Sequence, residues 1–194
     1  MKNLVAFFTY TLLTAFTPGP NNIIAMSNAS KYGLKKSIGL IQGIFLGFLS
    51  VMILCSFFSV MLVNIIPRIK PVMAYIGAAY ILWLAWNTIK SKSGEGAENT
   101  EKGDDFKTGF FLQFVNIKII LFGITAISTF ITPYDSSLFT IGVFTLLITV
   151  FGCVGTLTWA VFGAVFQRFF KNYSDSINII MALLLVYCAI TLII

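Results

Sequence analysis

The sequence predicts an all-α integral membrane protein with six transmembrane helices, and three observations predict it. Only 10% of its residues are charged while 58% are hydrophobic, against about a quarter charged in a soluble domain. The apolar residues gather in runs near the roughly 20 residues that cross a bilayer as helix, without the short alternating strands of a barrel. The first run is broken near its centre by Thr17-Pro18-Gly19-Pro20-Asn21-Asn22. Non-helical backbone at that depth survives only where protein buries it or a water-filled cavity solvates it.

Six apolar segments follow one another, at 4–28, 37–63, 72–89, 109–131, 138–166 and 177–194. In the first, Pro18 and Pro20 donate no backbone hydrogen bond, and their rings displace the carbonyls of Thr14 and Phe16. Gly19 permits whatever backbone angles the break needs. A single proline would merely kink a helix; Pro-Gly-Pro followed by two amides predicts a functional discontinuity. The N-terminus lacks an A-x-A-like cleavage site and reads as a retained first span. In the second segment Gly39, Gly43 and Gly47 lie four apart on one face, the small-xxx-small pattern that lets helix backbones touch. Such a face also suits a homodimer contact. Tyr80, Trp83 and Trp86 in the third segment read as interfacial anchors. The fourth segment carries its own polar interruption, Asn116-Ile117-Lys118.

Between the third and fourth segments, residues 91–107 hold five of the seven acidic residues and three glycines, with nothing apolar to bury, so they form a flexible linker. The chain is thus one transporter-like domain over 1–194, divided into halves at 1–90 and 108–194. Lys31, Lys35, Lys36, Lys90, Lys92, Lys102, Lys107, Arg168 and Lys171 fall on one side of the membrane, and Lys2, Arg68 and Lys70 on the other. By the positive-inside rule the linker is cytoplasmic and both termini are outside. Three spans per half make the halves cross the bilayer in opposite senses, the topology of inverted-repeat transporters. Matching interruptions in the first segment of each half then point to the substrate site.

The net charge of +6 is accounted for by this orientation and implies no nucleic-acid partner. Cys55, Cys153 and Cys188 all lie in apolar runs and His is absent, so no disulfide, metal site or cofactor is expected. No embedded carboxylate pair or other reactive constellation supports an enzyme.

A broken first helix has chemistry to offer a small solute. The half-helix starting at Pro20 presents the N–H groups of Asn21 and Asn22 to an anion, reinforced by the helix dipole. The displaced Thr14 and Phe16 carbonyls suit an ammonium, and the side chains of Thr17, Asn21, Asn22 and Asn116 add neutral hydrogen bonding. An α-amino acid carries both charges on one carbon and uses both features. Lys118 is the only charged residue well inside a span, at a cost of about 2.5–3.5 kcal/mol. Either it meets a substrate carboxylate or freed carbonyls, or it snorkels to the surface.

The TPGPNN stretch, the Gly39/Gly43/Gly47 series, Ile76-Gly77-Ala78-Ala79-Tyr80-Ile81 and Gly109-Phe110 followed by Asn116-Ile117-Lys118 together resemble the LysE/RhtB family of amino-acid exporters over essentially the whole chain. The resemblance implies a secondary transporter that exports amino acids or close derivatives across the bacterial cytoplasmic membrane. One departure stands out: Ile117 occupies the place of the family's usual proline, which predicts a milder second break. An exporter of divalent cations or other small metabolites is the alternative, though spans without carboxylates are poor ligands for hard cations.

Overall fold

The computed structural model describes residues 4–58, 106–166 and 174–193, with isolated positions between 72 and 89. Residues 91–105 of the linker, the basic residues Lys2, Arg68, Lys70, Lys90, Arg168 and Lys171, and the motif residues Gly77 and Tyr80 lie outside the described residues. Every element among the described residues is helical: α1 (Leu4–Phe16), α2 (Pro20–Tyr32), α3 (Ile38–Phe57), α4 (Phe106–Val115), α5 (Ile117–Phe130), α6 (Leu138–Val165) and α7 (Ser174–Ile193). The described positions at 72–89 are helical as well.

The predicted breaks are present in both halves. The first apolar segment is two helices, separated by Thr17, Pro18 and Gly19 and reaching Tyr32 rather than residue 28. Pro20 takes the first helical position, where its missing N–H costs nothing. At the other end of α2, Gly33 adopts φ 80° and its N–H closes the helix onto the Ala29 carbonyl, a conformation that favours glycine. The fourth segment divides at Asn116, where α4 and α5 meet at 60°. It breaks without the family proline. It also begins earlier than its hydropathy suggests, so Phe106 and Lys107 belong to α4 and not to the linker. Length and composition alone qualify α3 and α6 as membrane spans, and the α4–α5 pair as a third.

The outer surface suits lipid. Val143, Leu146, Val150, Val154, Leu157 and Val161 of α6 are all exposed and recur every three or four residues, so they form one apolar stripe. Trp83 and Trp86, each 57% exposed, sit on the surface as expected of interfacial anchors. The opposite face of α6 turns inward, with Ile148, Gly152, Gly155, Thr156, Ala160 and Gly163 buried. The turn before α6 is held by Asp135, which accepts from the Thr140 hydroxyl at 2.6 Å and the Ser137 N–H at 2.8 Å. Those bonds, the Thr140 hydroxyl first, hold its carboxyl below the usual carboxylate range. Their support is therefore present above the ordinary carboxylate pKa and lost as pH falls through the lowered one.

Glycines set how closely the helices approach. A Cβ at Gly43 would collide with the Phe106 carbonyl, and one at Gly47 would lie 2.5 Å from the Phe110 carbonyl. Across the same contact, a Cβ at Gly109 would strike the Leu40 carbonyl. Backbones of α3 and α4 therefore touch, and the Gly43–Gly47 face is filled by the chain's own α4; Gly39, a turn earlier, is half-buried. Gly155 and Gly163 do the same for α6, which lies against the Ala15 carbonyl of α1 and the Met26 carbonyl of α2. Replacing Gly43 by Leu is expected to deplete the protein from the membrane several-fold, since overpacking costs about 1–3 kcal/mol even where side chains can yield. Gly142→Leu, at a site with nothing within 4 Å of the new Cβ, is expected to leave the level unchanged in the same immunoblot.

Three apolar clusters complete the packing. One surrounds Phe7, Phe48, Phe122 and Ile148. A second joins Ile23 and Met26 of α2 to Ala78, Ile81 and Ala85 and to Met181 and Leu185 of α7. The third joins Ala25 and Ala29 of α2 to Leu40, Ile44 and Leu112.

Candidate functional site

The two breaks face each other. Asn21, at the start of α2, donates from Nδ2 to Gln113 Oε1 at 2.7 Å. Its Oδ1 accepts from Gln113 Nε2 and from Asn116 Nδ2, each at 3.1 Å. Gln113 Nε2 also donates to the Gly109 carbonyl at 2.9 Å. All three amides are buried, Gln113 completely. A buried polar group must be bonded or pay its desolvation, so this triad fixes the α2 start against the α4–α5 break.

Asn22 closes the first break on itself. Its Nδ2 donates to the Ala15 carbonyl at 2.9 Å and the Thr17 carbonyl at 3.0 Å, while its Oδ1 accepts from Thr156 Oγ1 of α6 at 3.0 Å. One side chain thus replaces backbone donors that the break removes. Of the two carbonyls expected to be displaced, that of Phe16 accepts from Trp159 Nε1 at 3.2 Å, and Thr14 lines the crevice described below. The Thr17 hydroxyl turns back onto the Leu13 carbonyl.

Lys118 crosses from the second break to the first. Its Nζ donates to the Thr17 carbonyl at 2.9 Å, and the side chain lies so close over Gly19 that a Cβ there would sit 2.8 Å from Nζ. It turns back onto the first break and is half-buried. Gly19 is the N-cap of α2 and no side chain caps that helix. Among the described hydrogen bonds, none engages the N–H of Asn21 or of Asn22. A lysine ammonium and the positive end of a helix are thus held together. Among the described residues no acidic side chain lies on α1, α2, α4, α5 or α6.

Two cavities flank this junction. A crevice of about 30 Å³ is lined by Thr14, Asn21, Asn22, Phe48, Phe122 and Thr156 among others. A larger cavity of about 340 Å³ opens on Thr17, Pro18, Leu112, Ile117, Tyr187 and Cys188. Gly19, Pro20, Asn116 and Lys118 line both. Of the residues expected at the site from the sequence, all but Phe16 line one or both cavities, although the side chains of Asn21, Asn22 and Asn116 are bonded to protein. Gln113, Thr156 and Trp159 were not anticipated. A signal for Gln113 existed, as an amide alone in an apolar run and one turn before Asn116. Thr156 and Trp159 sit on a helix whose apolar pattern gives no hint of them.

A chain whose described elements are all helical, with an apolar exterior and a polar junction between two broken helices, has the make-up of a small membrane transporter. The LysE type translocator family matches over residues 12–194, and the chain belongs to that family. It is similar to a cysteine/O-acetylserine efflux protein of Salmonella choleraesuis (strain SC-B67), with 50% identity over 96% of this chain and 95% of the relative. A protein of the same description from Escherichia coli O1:K1 / APEC is 46% identical over the same shares. No solved structure matches the chain. The chain is therefore a translocator and not an enzyme.

Proposed function

We propose that the protein exports small neutral amino acids of the cysteine and O-acetylserine type across the bacterial cytoplasmic membrane, binding them at the junction of the two helix breaks. The observation that carries this reading is the Lys118 ammonium held against the uncapped N-terminus of α2 with no acidic partner among the described residues. Two positive ends this close call for an anion, and a substrate carboxylate satisfies both. The substrate ammonium is matched by the Thr17 and Ala15 carbonyls, which Asn22 occupies in this conformation. Amides, hydroxyls and a lysine make a poor set for a divalent cation, which argues against a metal cargo.

The transporter reading extends to topology. Six spans arranged as two inverted three-helix repeats, at 1–90 and 108–194, place the junction near the bilayer midplane, with the linker cytoplasmic and both termini outside. With no carboxylate or His embedded in the spans, the reading is of a secondary transporter driven by the substrate gradient or the membrane potential.

The test is efflux from cells loaded with cysteine or O-acetylserine, normalised to protein in the membrane. Expression is expected to speed loss of these solutes and to leave the efflux of a divalent cation such as Mn²⁺ unchanged. Equal loss with and without the protein would reject the reading.

A further inference from the structure

The two cavities differ in what they can hold. The crevice, at about 30 Å³, takes no more than a water or two. The larger one, at about 340 Å³, falls within the roughly 300–1,000 Å³ of small-molecule sites. An amino acid therefore fits beside Pro18, Tyr187 and Cys188 but not beside Asn22 and Thr156. What lies between the two is the set of shared residues, of which Gly19 and Pro20 are backbone-bound and Asn116 is tied to Asn21. Lys118 alone among these four has a long flexible side chain. It is held by one hydrogen bond, to the Thr17 carbonyl.

Resting on the function proposed above, we infer that Lys118 is a movable partition between the large cavity, where the amino acid first lodges, and the narrow crevice at Asn21 and Asn22. The carboxylate of a substrate in the large cavity competes with the Thr17 carbonyl for the ammonium, since a charge-assisted bond outmatches one to a neutral carbonyl. Drawing Nζ off that carbonyl removes the cover over Gly19. It also gives up one of the two bonds on the Thr17 carbonyl, leaving Asn22 as its remaining partner. Gly19 is part of the device. Its backbone is extended, at φ −162°, so any residue could adopt it, and the glycine is needed for the space the lysine occupies.

The test reads thiol reactivity on either side of the partition. Ile119, which lines the crevice and is buried, is changed to Cys with Cys55, Cys153 and Cys188 replaced by Ser. Cys188, which lines the large cavity, is kept as the sole thiol in a second protein. Both are treated with a small membrane-permeant methanethiosulfonate, which reacts with water-exposed thiolate.

Lys118→Ala is expected to speed modification of Ile119→Cys at least tenfold and not to raise the Cys188 rate, since removing the ammonium beside Cys188 disfavours its thiolate. Gly19→Ala is expected to do the same, by pushing the lysine away from the opposite side. O-acetylserine is expected to slow modification of Cys188 in the protein with Lys118 intact. A variant that merely unfolds would speed both thiols, and that outcome, like an unchanged Ile119→Cys rate, overturns the partition. Where O-acetylserine is exported, its failure to protect Cys188 overturns the large cavity as the lodging site. If the protein carried some other solute, O-acetylserine efflux and protection would fail together and the Lys118→Ala effect would persist.

Discussion

Changing Pro18 and Pro20 together to Ala is expected to reduce amino-acid efflux to the level of cells lacking the protein, with membrane levels maintained. The prolines withhold the two N–H groups that would otherwise close onto the Thr14 and Phe16 carbonyls, and a proline in a helix interior costs about 3 kcal/mol relative to alanine. With that penalty gone, α1 and α2 are expected to merge into one helix. The Thr17 carbonyl would then be spent on the helix and lost to Lys118 and Asn22, and the N-terminus of α2 would cease to exist. Two small apolar substitutions add no charge to lipid, so insertion is expected to proceed. Efflux assays with immunoblot normalisation decide this; wild-type efflux would mean that the break is only a kink.

The second large effect is expected at Gln113. Gln113→Leu keeps the volume but removes both bonds to Asn21 and the one to the Gly109 carbonyl. Asn21 Nδ2 is then buried without a partner, at a cost of about 1–3 kcal/mol, and the two breaks lose their tie. An efflux loss of tenfold or more is expected, since about 1.4 kcal/mol is a factor of ten. Gln113→Glu is expected to fail for a different reason, since a carboxylate there cannot donate to Asn21 Oδ1 or the Gly109 carbonyl and would bury a charge. Efflux by Gln113→Leu within twofold of wild type would show that the triad does not hold the site.

Much of this junction is legible in the sequence. Proline and glycine act locally, so the break at 17–19 and the helix start at Pro20 follow from residue types alone. The glycine series predicted a backbone contact, and Gly43 and Gly47 make one. The partner, α4, was hidden because spacing says which face is thin and not what fills it. The second break was expected to be mild without a proline, yet α4 and α5 meet at 60°. The reason lies in tertiary bonding: Asn116 is drawn out of the helix to bond Asn21, which no local propensity records. The same holds for the amide side chains, expected to face substrate and found bonded to one another. Sequence shows that amides are present at membrane depth, but pairing depends on which helices meet.

We propose that substrate is bound where the two breaks join. The most direct test is counterflow of labelled O-acetylserine into proteoliposomes preloaded with unlabelled O-acetylserine, a measurement that needs no knowledge of the coupling ion. Wild-type protein is expected to accumulate label transiently. Asn21→Ala, which disconnects α2 from Gln113 and Asn116 without altering the lipid-facing surface, is expected to abolish that accumulation while the purified protein remains monodisperse. Label accumulating to the same height and at the same rate in both would contradict the claim.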